Sequence, residues 1–259
     1  MSNLSTTQKY WIKAIRQTPI MFGKECGFDD LGEIHNDWIR RFIVSKGDFT
    51  LQAHRGSYKT TCLSIAAAVL LVFRPYQNII LIRKSDGDVK ETITQIANML
   101  EQDIFQGMAY DLHKERLVLQ QKSVFHIDTS LKKNIKGNPQ LQGLGIRSSI
   151  TGKHGDIIIT DDIVNIEDRV SQAHRDRTKL AYMELQNIKN IGGRIINCGT
   201  PWHKDDAFQL MPNLSKADCY TTGLINDKQL QKIRGSMTAS LFAANYELKH
   251  IAPEKTLFD

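Results

Sequence analysis

An α/β fold with a mainly parallel central sheet and helices on both faces is what this sequence predicts. Two observations carry the prediction, and composition is consistent with it. Asn78-Ile79-Ile80-Leu81-Ile82 and Asp156-Ile157-Ile158-Ile159-Thr160 are continuous apolar runs bounded by polar residues, the pattern of strands buried on both faces. Segments of helical period, roughly 15 to 20 residues long, separate such runs, as in strand–helix–strand crossovers. The 259 residues are 41% hydrophobic and 24% charged, with 17 Gly and 6 Pro. This mixture excludes a mainly disordered, collagen-like or low-complexity chain and suffices for a full core.

In chain order, Thr7 to Ile43 reads as helices broken near Gly23–Gly32, because Trp11, Ile12 and Ile15, then Trp38, Ile39 and Phe42, recur at helical spacing. Asp48 to Ala53 alternates as a short strand does. His54 to Tyr58 is turn-like, and Lys59 to Phe73 has the apolar density of a buried helix, stopped by Arg74-Pro75-Tyr76. After the Ile79–Ile82 strand, Ser85 to about Phe105 reads as one helix, with Asp86 and Asp88 suited to its first turn. Leu117-Val118-Leu119 and Val124-Phe125-His126-Ile127 suggest a small antiparallel insertion, and Lys132 to Gln142 a polar loop. The Ile157–Ile159 strand ends in Asp161-Asp162, a helix follows from Ser171 to about Asn187, and Arg194 to Cys198 is a further strand, broken at Gly199-Thr200-Pro201.

Three residue classes narrow the functional field. The longest uninterrupted apolar run, Ile65 to Phe73, falls short of the roughly 20 residues that span a bilayer. The N-terminus carries no basic-then-apolar signal region, so a soluble intracellular protein is expected. Cys26, Cys62, Cys198 and Cys219 form no CxxC pair and read as small buried apolar groups with reduced thiols. A net charge of +6 permits contact with a polyanion.

The segment from Ala53 to Thr61 has the layout of a phosphate-binding P-loop: strand, turn, then Lys59-Thr60-Thr61 opening a helix. Such a site needs backbone N–H groups turned inward, a helix N-terminus facing the phosphates and a Lys that reaches the terminal ones. A hydroxyl directly after the Lys supplies a Mg²⁺ ligand, here Thr60. Ala53 and Tyr58 stand where the G-x-x-x-x-G-K-[ST] pattern has glycine, leaving Gly56 inside the loop. The bland reading of this segment is a plain strand–turn–helix with an exposed Lys. Asp161-Asp162 would sit at the carboxyl edge of the sheet, where open α/β sheets bind ligands. One carboxylate can serve the metal shell while its neighbour orients or deprotonates the attacking water. Cys198-Gly199-Thr200-Pro201-Trp202-His203 ends another buried strand and offers Thr200 as a sensor of the γ-phosphate.

These three motifs, in this order, resemble the ATPase domain of phage terminase large subunits, the motors that pump viral DNA into capsids. Ile34-His35-Asn36-Asp37-Trp38 is similar to the family's His/Trp helix, and His54-Arg55-Gly56-Ser57-Tyr58-Lys59-Thr60-Thr61 to its R-G-x-x-K-[ST] loop. Asp161-Asp162-Ile163-Val164-Asn165 resembles its Walker B strand end. Gly193 to Asp206 resembles its coupling motif, and Ser240 to Tyr246 the segment closing the motor domain.

The resemblance implies a P-loop ATPase of the additional-strand catalytic-acid type that uses ATP and Mg²⁺. It divides the chain into a helical segment (1–45), an ATPase core (46–225) and a helical lid or linker (226–259). It also implies a nucleotide site built from Arg55, Gly56, Ser57, Tyr58, Lys59, Thr60 and Thr61, with Lys59 on the β/γ-phosphates. Thr60 and Asp161 would serve the metal, and Asp162 would be the catalytic carboxylate, with Glu167 second in rank. Arg55 would be a cis-acting arginine and Thr200 the coupling residue. A trans-acting cation from a neighbouring subunit would be Arg147, with Lys153 as runner-up. The implied partners are double-stranded DNA, a portal protein and a small terminase subunit. The implied assembly is a homo-oligomeric ring in the host cytoplasm and transiently on the procapsid, monomeric in isolation. Full terminases continue into a nuclease, and this chain ends at Leu257-Phe258-Asp259 where that domain would begin, so no nuclease activity is expected of it. The basic run Lys132, Lys133 and Lys136 is the expected DNA contact, gripping phosphates without reading bases. The rival readings are a helicase-type translocase of the same ATPase class and a nucleotide-binding assembly protein that does not hydrolyse. A small-molecule kinase ranks below both.

Overall fold

The computed structural model describes residues 4–134 and 137–249. Three helices open the chain: α1 (Thr6–Gln17), started by a Ser5–Gln8 capping box, α2 (Ile20–Lys24) and α3 (Glu33–Val44). There follow β1 (Phe49–Ala53), α4 (Lys59–Phe73), β2 (Ile79–Arg83), α5 (Asp86–Leu100), α6 (Asp103–His113), β3 (Leu119–Lys122), β4 (His126–Thr129), β5 (Leu141–Gly145) and β6 (Gly155–Asp161). The remainder is α7 (Ile166–Val170), α8 (Gln172–Ile188), β7 (Lys189–Gly199), a 3-10 turn (Ala207–Leu210), β8 (Leu214–Ala217), α9 (Asp227–Gly235) and α10 (Ala239–Asn245).

The eight strands form one sheet in the order β3-β4-β5-β2-β6-β7-β1-β8. From β5 to β8 all neighbours are parallel; β3 and β4 add an antiparallel margin. β7 therefore lies between β1, which leads into the P-loop, and β6, which ends in the paired acids. This is the additional-strand arrangement.

The Ile157–Ile159 run shows why the sheet is covered twice. Ile157 and Ile159 join one buried cluster with Trp11, Phe42 and α4, while Ile158 joins the other with Tyr182 and Leu185 of α8. Side chains alternate faces along a strand, so an unbroken apolar run needs cover on both. On the first face α4 is the centre: every residue from Cys62 to Val72 is buried, as suits a helix that is apolar all round. A third, smaller cluster, Cys219, Leu230 and Phe242, lies in the C-terminal helices.

Several expectations need correction. The single helix from Ser85 to Phe105 is two, α5 and α6, separated where Gln102 turns to extended backbone. The Leu117–Ile127 hairpin is not a separate insertion: β4 pairs with β5 and so widens the main sheet. The loop expected to Gln142 stops at Gln140, because Leu141–Gly145 is a parallel strand. Its glycines hid it from an apolar-run reading, yet they are there for contact. A Cβ on Gly143 would come within 2.3 Å of Val89, and one on Gly145 within 2.6 Å of Asp86, so α5 packs against bare backbone. β8 and α7 were not expected at all. Cys62, Cys198 and Cys219 are buried and unpaired, and Cys26 is half-buried. Among the described residues no helix is long and apolar enough to cross a membrane.

Candidate active site

Strand register brings the motif residues to one edge. Arg83 at the end of β2 pairs with Asp161 at the end of β6, and Asp161 with Cys198 of β7. Gln52 of β1 pairs with Gly199, so the P-loop leaves β1 beside Thr200. Four adjacent parallel strands thus deliver Arg83, Asp161, Thr200 and the loop to the carboxyl edge, where such sheets hold ligands.

The loop itself is bent at two left-handed residues, Gly56 (φ +77) and Tyr58 (φ +57). Tyr58 occupies the position where the pattern has glycine, and a bulky residue there is strained. Two contacts hold it: its hydroxyl donates to Asp30 Oδ2 at 3.1 Å and its ring lies edge-on to His35 at 5.8 Å. His35 is itself fixed. Its Nδ1 accepts from the Gly32 N–H at 2.8 Å and its Nε2 donates to the Ser57 carbonyl at 3.1 Å. His54 Nδ1 donates to the Arg55 carbonyl at 2.8 Å, while Nε2 meets the Thr222 hydroxyl at 2.8 Å. Burial pushes both imidazoles below their usual pKa, which favours the neutral forms this bonding requires. The Arg55 N–H donates to the carbonyl of Asn245 in α10, so the C-terminal helices also hold the loop.

Lys59 is buried, and its Nζ stands 3.3 Å from Asp162 Oδ2. Burial alone would push its ammonium pKa down, but Asp162 and the other negative neighbours outweigh burial and raise it. Asp161 is fully buried. The Thr60 hydroxyl lies 3.0 and 3.2 Å from its two carboxylate oxygens, and Arg83 Nε lies 3.0 Å from Oδ2. Burial first and the neighbouring Asp162 second push its carboxyl up to about 6, against the pull of Arg83 and Lys59. Asp162 has φ +46, a conformation Asp tolerates better than most residues. That turn lets its Oδ1 accept the Thr200 N–H at 3.2 Å while Oδ2 faces Lys59. The Thr200 hydroxyl in turn donates to the Ala53 carbonyl at 2.9 Å, so Thr200 joins the Asp162 carboxylate to the last residue of β1.

The Thr60 hydroxyl and the Asp161 carboxylate form a hard oxygen pair that suits Mg²⁺. Among the described residues no cluster of three or more His, Cys, Asp or Glu could hold a metal by itself. Such an ion would complete its shell with phosphate oxygens and water, the usual habit of Mg²⁺. Beside Asp162 opens a cleft of about 350 Å³, lined by Arg55, Arg83, Lys84, Thr200 and Trp202 among others.

Arg55, Lys59, Thr60, Asp161, Asp162 and Thr200 therefore meet. Other candidates stand apart. Arg147 follows β5 at the same edge but points outward, 64% exposed, its Nη2 2.8 Å from Glu167 Oε2. Glu167 is engaged by Arg147 and by His174 at 3.3 Å, whereas Asp162 is the carboxylate that faces Lys59. Lys153 precedes β6 and so lies at the opposite edge of the sheet. Lys132 and Lys133 are also at that far edge, about 17 Å away along a five-residue strand. Lys132 is ion-paired with Asp128 at 2.9 Å, and the Lys133 N–H donates to the Pro75 carbonyl. Lys136 lies outside the described residues.

Sequence reasoning missed Arg83 and Lys84. Lys84 Nζ reaches the fully buried Asp168 at 2.6 Å, tying the exit of β2 to α7. A buried strand that ends in two cations was the available signal.

No protein-family model and no curated protein sequence matches the chain. Among solved structures, the ATPase domain of the large terminase of Thermus phage P74-26 matches 91% of this chain and 99% of its own length, with a TM-score of 0.59 at 12% identity. The large terminase of bacteriophage HK97 matches over 87% of this chain with a TM-score of 0.51 at 13% identity, and this chain spans 45% of it. The DEAD-box helicase Mss116, solved bound to single-stranded RNA and UDP-BeF, matches over 88% of this chain and 47% of its own, with a TM-score of 0.52 at 10% identity. The fold is thus that of phage large-terminase ATPase domains, and it is shared more widely with helicase-type domains.

Proposed function

We propose that this chain is the ATP-hydrolysing motor domain of a viral DNA-packaging terminase. The observation that carries the reading is the meeting of Lys59, Thr60, Asp161 and Asp162 at one sheet edge, with Thr200 bonded to Asp162. In this reading the loop N–H groups and the N-terminus of α4 receive the triphosphate. Lys59 gives up Asp162 for the β/γ-phosphate oxygens, and the released carboxylate orients the attacking water and accepts its proton. Thr60 and Asp161 hold Mg²⁺, which when bound supplies positive charge against the phosphate oxygens. Thr200 feels the change at Asp162 and passes it along β7 and to β1.

Double-stranded DNA, a portal protein and a small terminase subunit are the partners this assignment implies. The assembly is a ring acting in the host cytoplasm and on the procapsid. Arg147 is the cation offered to a neighbouring subunit, since it follows β5 at the carboxyl edge of the sheet and is exposed, paired there with Glu167.

The deciding experiment measures Mg²⁺-dependent ATP turnover with and without duplex DNA, for the unsubstituted chain, Lys59→Ala and Asp162→Asn. Turnover lost in both variants and stimulated by duplex DNA supports the motor; ATP that fails to bind at all sinks it. The likeness to Mss116 keeps a helicase-type translocase as a second reading. Strand separation on a forked duplex would favour it.

A further inference from the structure

Arg55 and Trp202 come from two different motifs and both line the cleft, with the guanidinium over the indole ring. The Arg55 guanidinium carbon lies 5.6 Å from the centroid of the Trp202 ring, within the range of a cation–π contact. Among the described residues the Arg55 side chain makes no hydrogen bond and no ion pair. The nearby acids are engaged elsewhere: Asp162 by Lys59 and the Thr200 N–H, Asp88 by the Ser85 hydroxyl at 2.6 Å. The two ends of the contact are anchored. At one, the Arg55 N–H donates to the Asn245 carbonyl at 3.0 Å. At the other, the Trp202 backbone N–H donates to Asp206 Oδ2 at 2.9 Å and the half-buried ring packs against the cluster of Ile158 and Phe208.

We propose that Trp202 is the positioning residue for Arg55: the ring holds the guanidinium in the cleft by its face and leaves its N–H edges directed to the terminal phosphate of a bound nucleoside triphosphate. A guanidinium stacks through its π face and donates hydrogen bonds in its plane, so the two interactions do not compete. A long flexible side chain is thereby held in place before the ligand arrives, which removes part of the ordering that binding would otherwise require. Because the ring stands two residues beyond Thr200, the same contact ties the P-loop to the coupling strand. The inference rests on the nucleotide reading given above. It assigns a role to a residue to which that reading gave none.

Two measurements on the full chain test it separately from that reading. Without nucleotide, Arg55→Gln is expected to shift the tryptophan emission, and to leave it unchanged when Trp202 is already Phe; that second comparison separates the Trp202 signal from those of Trp11 and of Trp38, whose ring lies edge-on to His35 behind the P-loop. With nucleotide, calorimetry compares ADP with a non-hydrolysable ATP analogue. Trp202→Leu keeps the apolar packing but lacks a π face, and is expected to weaken the analogue about three- to tenfold while ADP binding is unchanged. Trp202→Phe restores part of the loss, and in an Arg55→Gln background Trp202→Leu adds nothing further. Equal weakening of both nucleotides, or additive losses in the double variant, would overturn the proposal by making the ring a packing residue only. If neither nucleotide binds the unsubstituted chain, the nucleotide reading falls, and the role given to the ring falls with it even where the emission shift is seen.

Discussion

Asp156 and Asp161 stand at opposite ends of β6, and they are held in opposite ways. Asp156 accepts the backbone N–H of Asn78 at 2.9 Å and the amide of Asn190 at 2.8 Å. Nearby at the same edge, Asp48 accepts the Ile195 N–H at 2.7 Å and Lys189 Nζ at 3.0 Å. In each case the main-chain donor, Asn78 or Ile195, is fixed by the sheet. At the other edge Asp161 is met by the side chains of Thr60 and Arg83, and Asp162 by Lys59 as well as by the Thr200 N–H; Thr60, Arg83 and Lys59 are all able to turn to another partner. The comparison separates Asp156 and Asp48, bonded into the strands they finish, from Asp161 and Asp162, bonded to the side chains proposed to meet a ligand; of the four only Asp161 is fully buried.

The sharpest way to break that comparison is to neutralise one acid of each kind. Asp162→Asn is expected to lower ATP turnover about 10²–10⁴-fold, the span of a general base, with little change in the melting midpoint. Asp48→Ala should do the reverse. It strands the Ile195 N–H and Lys189, costs about 1–3 kcal/mol and lowers the midpoint by roughly 3–10 °C, while turnover well below the transition is unchanged. Steady-state kinetics and thermal unfolding on both variants decide it. An Asp48→Ala enzyme that loses turnover without losing stability would erase the distinction between the edges.

A pH series sharpens it further. The Asp161 carboxyl, raised to about 6, binds a proton more tightly folded than unfolded. Its contribution therefore favours the folded, metal-free chain as pH falls from about 6 toward 4 and is lost as pH rises through that window. Mg²⁺ needs the ionised form, so its apparent affinity should drop about tenfold per pH unit below 6. Both dependences should flatten in Asp161→Asn, as read by calorimetry and by unfolding at each pH. The smallest effect belongs to the far edge. If Lys132 and Lys133 grip DNA, replacing each by Ala lowers the slope of log affinity against log salt by about 0.9, and leaves DNA-free ATP turnover as it was.

Much of this was legible in the sequence, for a physical reason. The P-loop, the acid pair after Ile157–Ile159 and the Gly199-Thr200-Pro201 break are each contiguous, and each sits at a strand end that hydrophobic patterning locates. β5 and β8 were not legible. Gly143 and Gly145 remove the apolar signal from β5 because α5 packs against their backbone, and Leu214-Ser215-Lys216-Ala217 is an edge strand with little to bury. Arg83 on Asp161, Trp202 under Arg55 and Thr222 on His54 are contacts between residues far apart in the chain, which no local pattern encodes. The same limit applied to Arg147 and Glu167. Each was a separate candidate in sequence, and the structure bonds them to one another.

The tether between the P-loop and the last helix has a consequence in the order of synthesis. His54 and Arg55 take their partners from Ala217, Thr222 and Asn245, and Tyr246 stacks on the His54 ring at 6.3 Å. A growing chain completes β1, the loop and α4 early, but it lacks those partners until the ribosome has added most of the remaining residues. The nascent loop is thus kept short of its final shape until α10 has been made. On the nucleotide reading proposed above, a product truncated before α10 is expected to be born without the means to bind ATP.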